Sequence, residues 1–215
     1  MTLAYTPIDI VVDVPDEQEI IDWFEKHKVL DTDYWEYQAN RHTWAIVACM
    51  KNLDDWRKID FSLWDNRRDK IPNAGMYFHP GFERAFPGIV SAIKQLPFKQ
   101  LTYAGMILQM GEIVPHQDTY DHNDPTEPRR YNIYLTDPIH NTFYISKDSK
   151  SERIKPQIDN TYRCFAFNNS ECWHGAEPTA RPKLMIATTG IIDDTAHKEL
   201  ITRSIDKFKD KVLYI

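Results

Sequence analysis

Between Leu101 and Ile192 the chain is written as short apolar runs, each closed by a polar or Pro/Gly-containing turn, and this rhythm narrows the fold most. The runs are Leu101 to Gln109, Ile113 to Gln117, Arg130 to Leu135, Asn141 to Lys147, Tyr162 to Phe167 and Lys183 to Ile192. Helical crossovers of the kind a parallel sheet needs are missing between them, so the spacing predicts a sandwich or barrel. The expected fold class is mainly β with flanking helices.

Upstream, Ile8 to Val14 reads as a first strand, Thr43 to Met50 as a second and Gly75 to His79 as a third. Asp16 with Glu19 three residues on has capping-box spacing, and Ile20, Ile21, Trp23 and Phe24 supply the buried side of the helix it opens. Pro80 to Leu96 reads as helical in its second half, where Ile89, Val90, Ile93 and Leu96 share a face, and Pro97 ends it. A last helix runs from about Thr195 to Lys209, with Ile201, Ile205 and Phe208 at helical spacing. No repeat, low-complexity tract or linker interrupts the 215 residues, a length that fits one domain. The expected division is residues 1–100 as support, 101–192 as the β core and 193–215 as a C-terminal helix.

Composition bounds the function classes. A formal charge of -6 with no basic stripe beyond Arg67-Arg68 and Arg129-Arg130 argues against nucleic acid as a partner. No window approaches the apolar length of a membrane span, and Met1 to Val14 lacks the basic and apolar regions of a secretory signal. Cys49, Cys164 and Cys172 are odd in number and unpaired in spacing, which suits a reducing cytoplasm. The expectation is a cytoplasmic protein.

The chemistry concentrates at His116-Gln117-Asp118 and, far downstream, at His174. On a strand, residues two apart point the same way, so His116 and Asp118 share a face while Gln117 points away. Two imidazoles and one carboxylate can occupy one face of a metal octahedron and leave three positions open. An isolated H-x-D is common by chance, and a lone His is more often a turn or core residue. Here the flanks add weight: Gly111-Glu112-Ile113-Val114-Pro115 leads into the first pair, and Phe165-Ala166-Phe167-Asn168-Asn169 leads into Trp173-His174-Gly175. Ligand type alone would equally accept Zn, Mn, Co or Ni.

With those segments, and with Arg130-Tyr131-Asn132-Ile133-Tyr134-Leu135 and Tyr162 to Pro178, the stretch from Glu112 to Thr189 resembles the core of the 2-oxoglutarate/Fe(II)-dependent dioxygenases. The aspartyl/asparaginyl β-hydroxylase-like and prolyl-hydroxylase-like branches are the most similar. The resemblance implies a double-stranded β-helix (jelly roll, cupin-like) and a hydroxylase using molecular oxygen. His116, Asp118 and His174 would be the Fe(II) ligands and the catalytic set. 2-Oxoglutarate would be co-substrate, its distal carboxylate needing a buried cation.

Lys183 fits the family's spacing after the distal histidine; Arg181 falls short of it but begins the same strand-like run. Arg130 is a further candidate, with Asn132 on its face. The remaining features take plainer readings. Tyr34, Trp35, Tyr37 and Trp44 are expected in core or pocket wall, and Cys172 as a small buried apolar residue. His79, His122 and His140 lack partners at ligand spacing. The loop Thr119 to Arg129 follows the first ligands directly and reads as a lid or substrate-contact loop.

Substrates in view are a peptidyl Asp, Asn or Pro side chain, a free amino acid or another small molecule. The aromatics outside the core and the charged stretch Asp65 to Lys70 tilt the reading towards an extended substrate. The rivals are a non-catalytic cupin-like metal-binding module and a zinc hydrolase with Glu171 or Glu177 as general base.

Overall fold

The computed structural model describes residues 1–28, 43–49, 77–118 and 130–215. Numbered in chain order among these, the strands are β1 (Leu3–Pro7), β2 (Thr43–Cys49), β3 (Tyr77–Phe78), β4 (Phe98–Gln109), β5 (Ile113–His116), β6 (Arg130–Tyr134), β7 (Phe143–Ser146), β8 (Cys164–Phe167), β9 (Trp173–Ala176), β10 (Lys183–Ile192) and β11 (Leu213–Tyr214). The helices are α1 (Glu17–His27), α2 (Pro80–Ala85), α3 (Pro87–Lys94) and α4 (Asp194–Lys207).

From β4 onward the chain alternates between two sheets. Strands β4, β6, β8 and β10 belong to a large sheet of order β11-β1-β8-β6-β10-β4-β2-β3, while β5, β7 and β9 form a small sheet of order β5-β9-β7. Among the described residues every strand pairing is antiparallel. Such winding between two facing antiparallel sheets is the double-stranded β-helix, a mainly β jelly roll with helices at its flank.

Alternation along the strands of the large sheet sorts its side chains onto two faces. Tyr131, Ile133, Cys164, Ala166, Leu184 and Ile186 turn outward, where they pack with Ile20 and Phe24 of α1, Ile89 and Ile93 of α3, and Leu200 and Ile201 of α4. Tyr5, Tyr134, Phe165, Phe167 and Met185 turn inward, against Phe143 and Ile145 of the small sheet. Tyr5 and Tyr134 both stack on Phe165, with ring centroids 5.1 and 4.8 Å away. Each such ring, fully buried, stabilises the fold by roughly 1.5–3 kcal/mol.

Helix α1 starts as its cap predicts: Asp16 Oδ1 accepts from the Gln18 and Glu19 amides. The stretch Ile8 to Val14 is not a strand, because β1 lies upstream of it. The Ile8 amide still reaches the Cys164 carbonyl, but beyond it the Asp9 amide donates to Ser204 Oγ and the Val11 amide to Gln95 Oε1 instead of to a ladder. Pro80 to Ala85 is helical as well, since His79 Nδ1 accepts from the Gly81 and Phe82 amides and caps α2. The run into the first ligands stops at His116, so Asp118 lies beyond β5. Strands β9 and β11 were not expected. Tyr34, Trp35, Tyr37, His122, the Thr119 to Arg129 loop up to Arg129 itself, and Asp65 to Lys70 lie outside the described residues.

Candidate metal centre

Strand β5 delivers His116 and β9 delivers His174, and the two are direct partners across the ladder. That register brings the imidazoles together, with ring centroids 4.3 Å apart. Asp118, past the end of β5, is held by the turn after β8 instead. Its amide donates to the Asn169 carbonyl at 2.8 Å, and Asn169 Nδ2 donates to its Oδ2 at 2.8 Å.

Hydrogen bonds on the far side of each ring settle which nitrogen faces inward. His116 Nδ1 lies 2.9 Å from the Val114 carbonyl, and His174 Nδ1 lies 3.4 Å from the Cys172 carbonyl. A carbonyl only accepts, so Nδ1 carries the proton and Nε2 keeps its lone pair. Both Nε2 atoms face Asp118 Oδ1, at 3.6 Å from His116 and 3.9 Å from His174. One donor atom from each residue lies within 4.8 Å of the other two. Donors that share one ion through bonds of about 2.1 Å sit roughly 3–4 Å apart, so a small inward shift fits this trio to a divalent metal.

The electrostatics agree with ligand duty. His174 is buried against Phe167, with ring centroids 4.8 Å apart. Burial outweighs the pull of Asp118 and takes its pKa down to about 3, so the ring is neutral. Burial would raise the Asp118 carboxyl, but the Arg130 guanidinium beside it, helped by both histidines and Asn169, holds it well below the usual carboxylate range. At His116 partial burial lowers the pKa, but the nearby Asp118 carboxylate and the Val114 carbonyl outweigh it, and the net shift is upward.

Lys183 opens β10 and is 4% exposed. Its Nζ donates to Gln109 Oε1 at 2.8 Å, and no acidic side chain pairs with it among the described residues. Gln109 Nε2 is tied to the Gly111 and Glu177 carbonyls, which fixes the amide with its oxygen towards the ammonium. Burial pulls the Lys183 pKa down to about 7. Lys183 shares its sheet face with Met185, hence with the space between the two sheets.

The other candidate anchors sit elsewhere. Arg130 Nη1 bonds Asp118 Oδ2 at 2.5 Å, at the ligand cluster itself. Arg181 is exposed in the turn before β10, not on the strand with Lys183, and its Nη1 lies 3.2 Å from His140 Nε2. Asn132 is 2% exposed on the inward face, opposite Ala187, and its Oδ1 has no hydrogen-bond partner among the described residues. Glu171 accepts from Asn168 Nδ2, and Glu177 pairs with Lys155. Cys172 is buried in the inner core, as its plain reading predicts. Sequence reasoning missed Gln109 and Asn169. Both act through contacts with residues distant in the chain, and only the adjacent Asn168-Asn169 pair beside His174 hinted at a polar turn.

No protein-family model matches the chain, and no curated protein does. Among solved structures it is similar to a Trichoplax adhaerens prolyl hydroxylase in complex with a hypoxia inducible factor oxygen degradation domain peptide fragment. The identity is 12% over 85% of this chain and 78% of that one, with a TM-score of 0.42. It is also similar to a Pseudomonas putida prolyl-4-hydroxylase, at 11% identity over 80% of each chain and a TM-score of 0.38. The assignment to a double-stranded β-helix stands on the alternating strand order itself.

Proposed function

We propose that this chain is an Fe(II)- and 2-oxoglutarate-dependent dioxygenase, a hydroxylase acting on a C–H bond. The observation that carries the proposal is the coexistence of a three-residue ligand set with a buried ammonium lacking an acidic partner among the described residues. His116 Nε2, Asp118 Oδ1 and His174 Nε2 would hold the iron and leave the remaining positions to co-substrate and oxygen. Iron with 2-oxoglutarate and molecular oxygen supplies the oxidising chemistry, the co-substrate leaving as succinate and carbon dioxide.

The side chains do the rest. Lys183, aimed by Gln109, takes the distal carboxylate of 2-oxoglutarate, since a buried cation is costly until an anion joins it. Asn132 offers an unsatisfied amide oxygen on the same inward face. Phe143 and Phe167 pack on the His174 ring and keep water from it. A metal-holding module without chemistry has no use for Lys183, which is why the oxygenase reading is preferred. The N-terminal region and α4 serve as support, making the whole chain one oxygenase domain. Free buried Cys164 and Cys172 suit a reducing cytoplasm.

The substrate is a peptidyl side chain of the Asp, Asn or Pro type, or a small molecule such as a free amino acid. Succinate release with Fe(II) and 2-oxoglutarate, screened against free amino acids and a peptide library, tests the reading. Turnover on either class supports it and names the class. No coupled turnover, together with no rise in melting temperature on adding Fe(II) and 2-oxoglutarate, would sink it in favour of the binding module.

A further inference from the structure

The two oxygens of Asp118 have different surroundings. Oδ2 accepts from Arg130 Nη1 at 2.5 Å and from Asn169 Nδ2 at 2.8 Å. Oδ1 faces His116 Nε2 and His174 Nε2. From this asymmetry we infer that Arg130 and Asn169 are positioning residues that dedicate a single oxygen of Asp118 to the metal. The inference rests on the dioxygenase reading above.

Coordination count gives the clamp its purpose. A free carboxylate can chelate an ion through both oxygens and take two positions. With two imidazoles, that leaves two sites of an octahedron. A chelating 2-oxo acid fills both, and nothing remains for the oxidant. Held at Oδ2, Asp118 takes one position and three remain. The clamp also has independent footing. Arg130 opens β6 in register with Phe167 of β8, and Asn169 lies in the turn that leaves β8, so the large sheet carries both. The histidines belong to the small one. Asn169 is 3% exposed, and its turn is fixed by Asn168 Oδ1, which accepts from the Glu171 amide and Ser170 Oγ. Asp118, beyond the end of β5, thus takes its orientation from the opposite sheet.

The test is metal-induced infrared difference spectroscopy on the 215-residue chain carrying 13C-carboxylate aspartate, with Zn(II) as probe. Asp118→Ala assigns the band by removing it. Wild type should show the wide separation of antisymmetric and symmetric stretches of a carboxylate bound through one oxygen. The Arg130→Met/Asn169→Ala double variant should show the narrow separation of a chelating carboxylate. In the Asn169→Ala background Arg130→Lys, which keeps a charge and a donor, should retain the wide separation, and Arg130→Met alone, expected to narrow it, serves if the double variant does not fold. Asn169→Ala alone, which changes no charge, should weaken Co(II) binding by about 10-fold or more. A narrow separation in wild type, or a wide one in the double variant, would overturn the clamp while leaving the metal site standing. No metal-induced aspartate band in wild type would overturn the metal reading itself, and the clamp with it.

Discussion

The Lys183 ammonium and the Gln109 side-chain carbonyl lie 2.8 Å apart, a buried cation answered by a neutral acceptor. Gln109 spends both amide protons on backbone carbonyls, so it orients Lys183 without cancelling its charge. Replacing the lysine therefore separates stability from function. Lys183→Met should weaken 2-oxoglutarate binding by about 10-fold or more, the value of a charge-assisted hydrogen bond. It should also raise the melting temperature of the cofactor-free protein, by about 2–4 °C per kcal/mol of relieved burial. Titration of the Fe(II)–2-oxoglutarate absorbance band and a thermal melt read the two effects. Unchanged affinity in Lys183→Met with a loss in Arg181→Ala would move the anchor.

The same group sets a pH dependence. Its pKa is about 7 when folded, below the ordinary lysine value of 10.5, so between these limits the unfolded chain binds the extra proton. Stability from this residue therefore rises as pH climbs from about 7 to about 10.5, and is lost as pH falls back to about 7. Binding of a carboxylate restores the ammonium, so 2-oxoglutarate should bind with net proton uptake between those limits. Calorimetry in buffers of differing ionisation enthalpy measures it, and uptake should vanish in Lys183→Met.

Ala at His116, Asp118 or His174 should abolish tight Fe(II) binding and turnover while leaving far-UV circular dichroism near wild type. Of the three, only His174 is fully buried, and it lies at the edge of the inner core beside Phe143 and Phe167. Elemental analysis at the wild-type metal level in all three variants would remove the site.

Much of this site was legible because its informative residues are close in sequence. The H-x-D spacing is local, and the Asp16 cap and the bounds of β10 were readable from adjacent residues. Partners set by tertiary approach were not. Arg130 looked like a co-substrate anchor on its strand, yet the turn after β8 brings Asp118 to it. Ile8 to Val14 has the composition of a strand, but Ser204 and Gln95 take the bonds that a ladder would have used. Strand β9 is short and carries Gly175, which hid it from any pattern of β-branched residues.

That glycine yields a further expectation. A Cβ at Gly175 would run into the Tyr144 phenol and the Ile113 backbone carbonyl, and the carbonyl cannot swing aside. Gly175→Ala should cost about 1–3 kcal/mol by urea denaturation, as overpacking does. It should also weaken metal binding, because β5 and β9 carry the two histidines.

The alternation of strands between sheets has a consequence in time. Strand β10 lies between β4 and β6, and its ladder with β4 pairs Lys183 with Gln109 and Ile192 with Phe98. Contacts of such sequence separation close large loops before they repay the entropy, so the fold belongs with slowly forming topologies. The ladder that seats Lys183 beside Gln109 and the pairing that sets His116 against His174 both join segments far apart in the chain. A metal or carboxylate ligand that needs both pairings would bind fully only once the two sheets are wound.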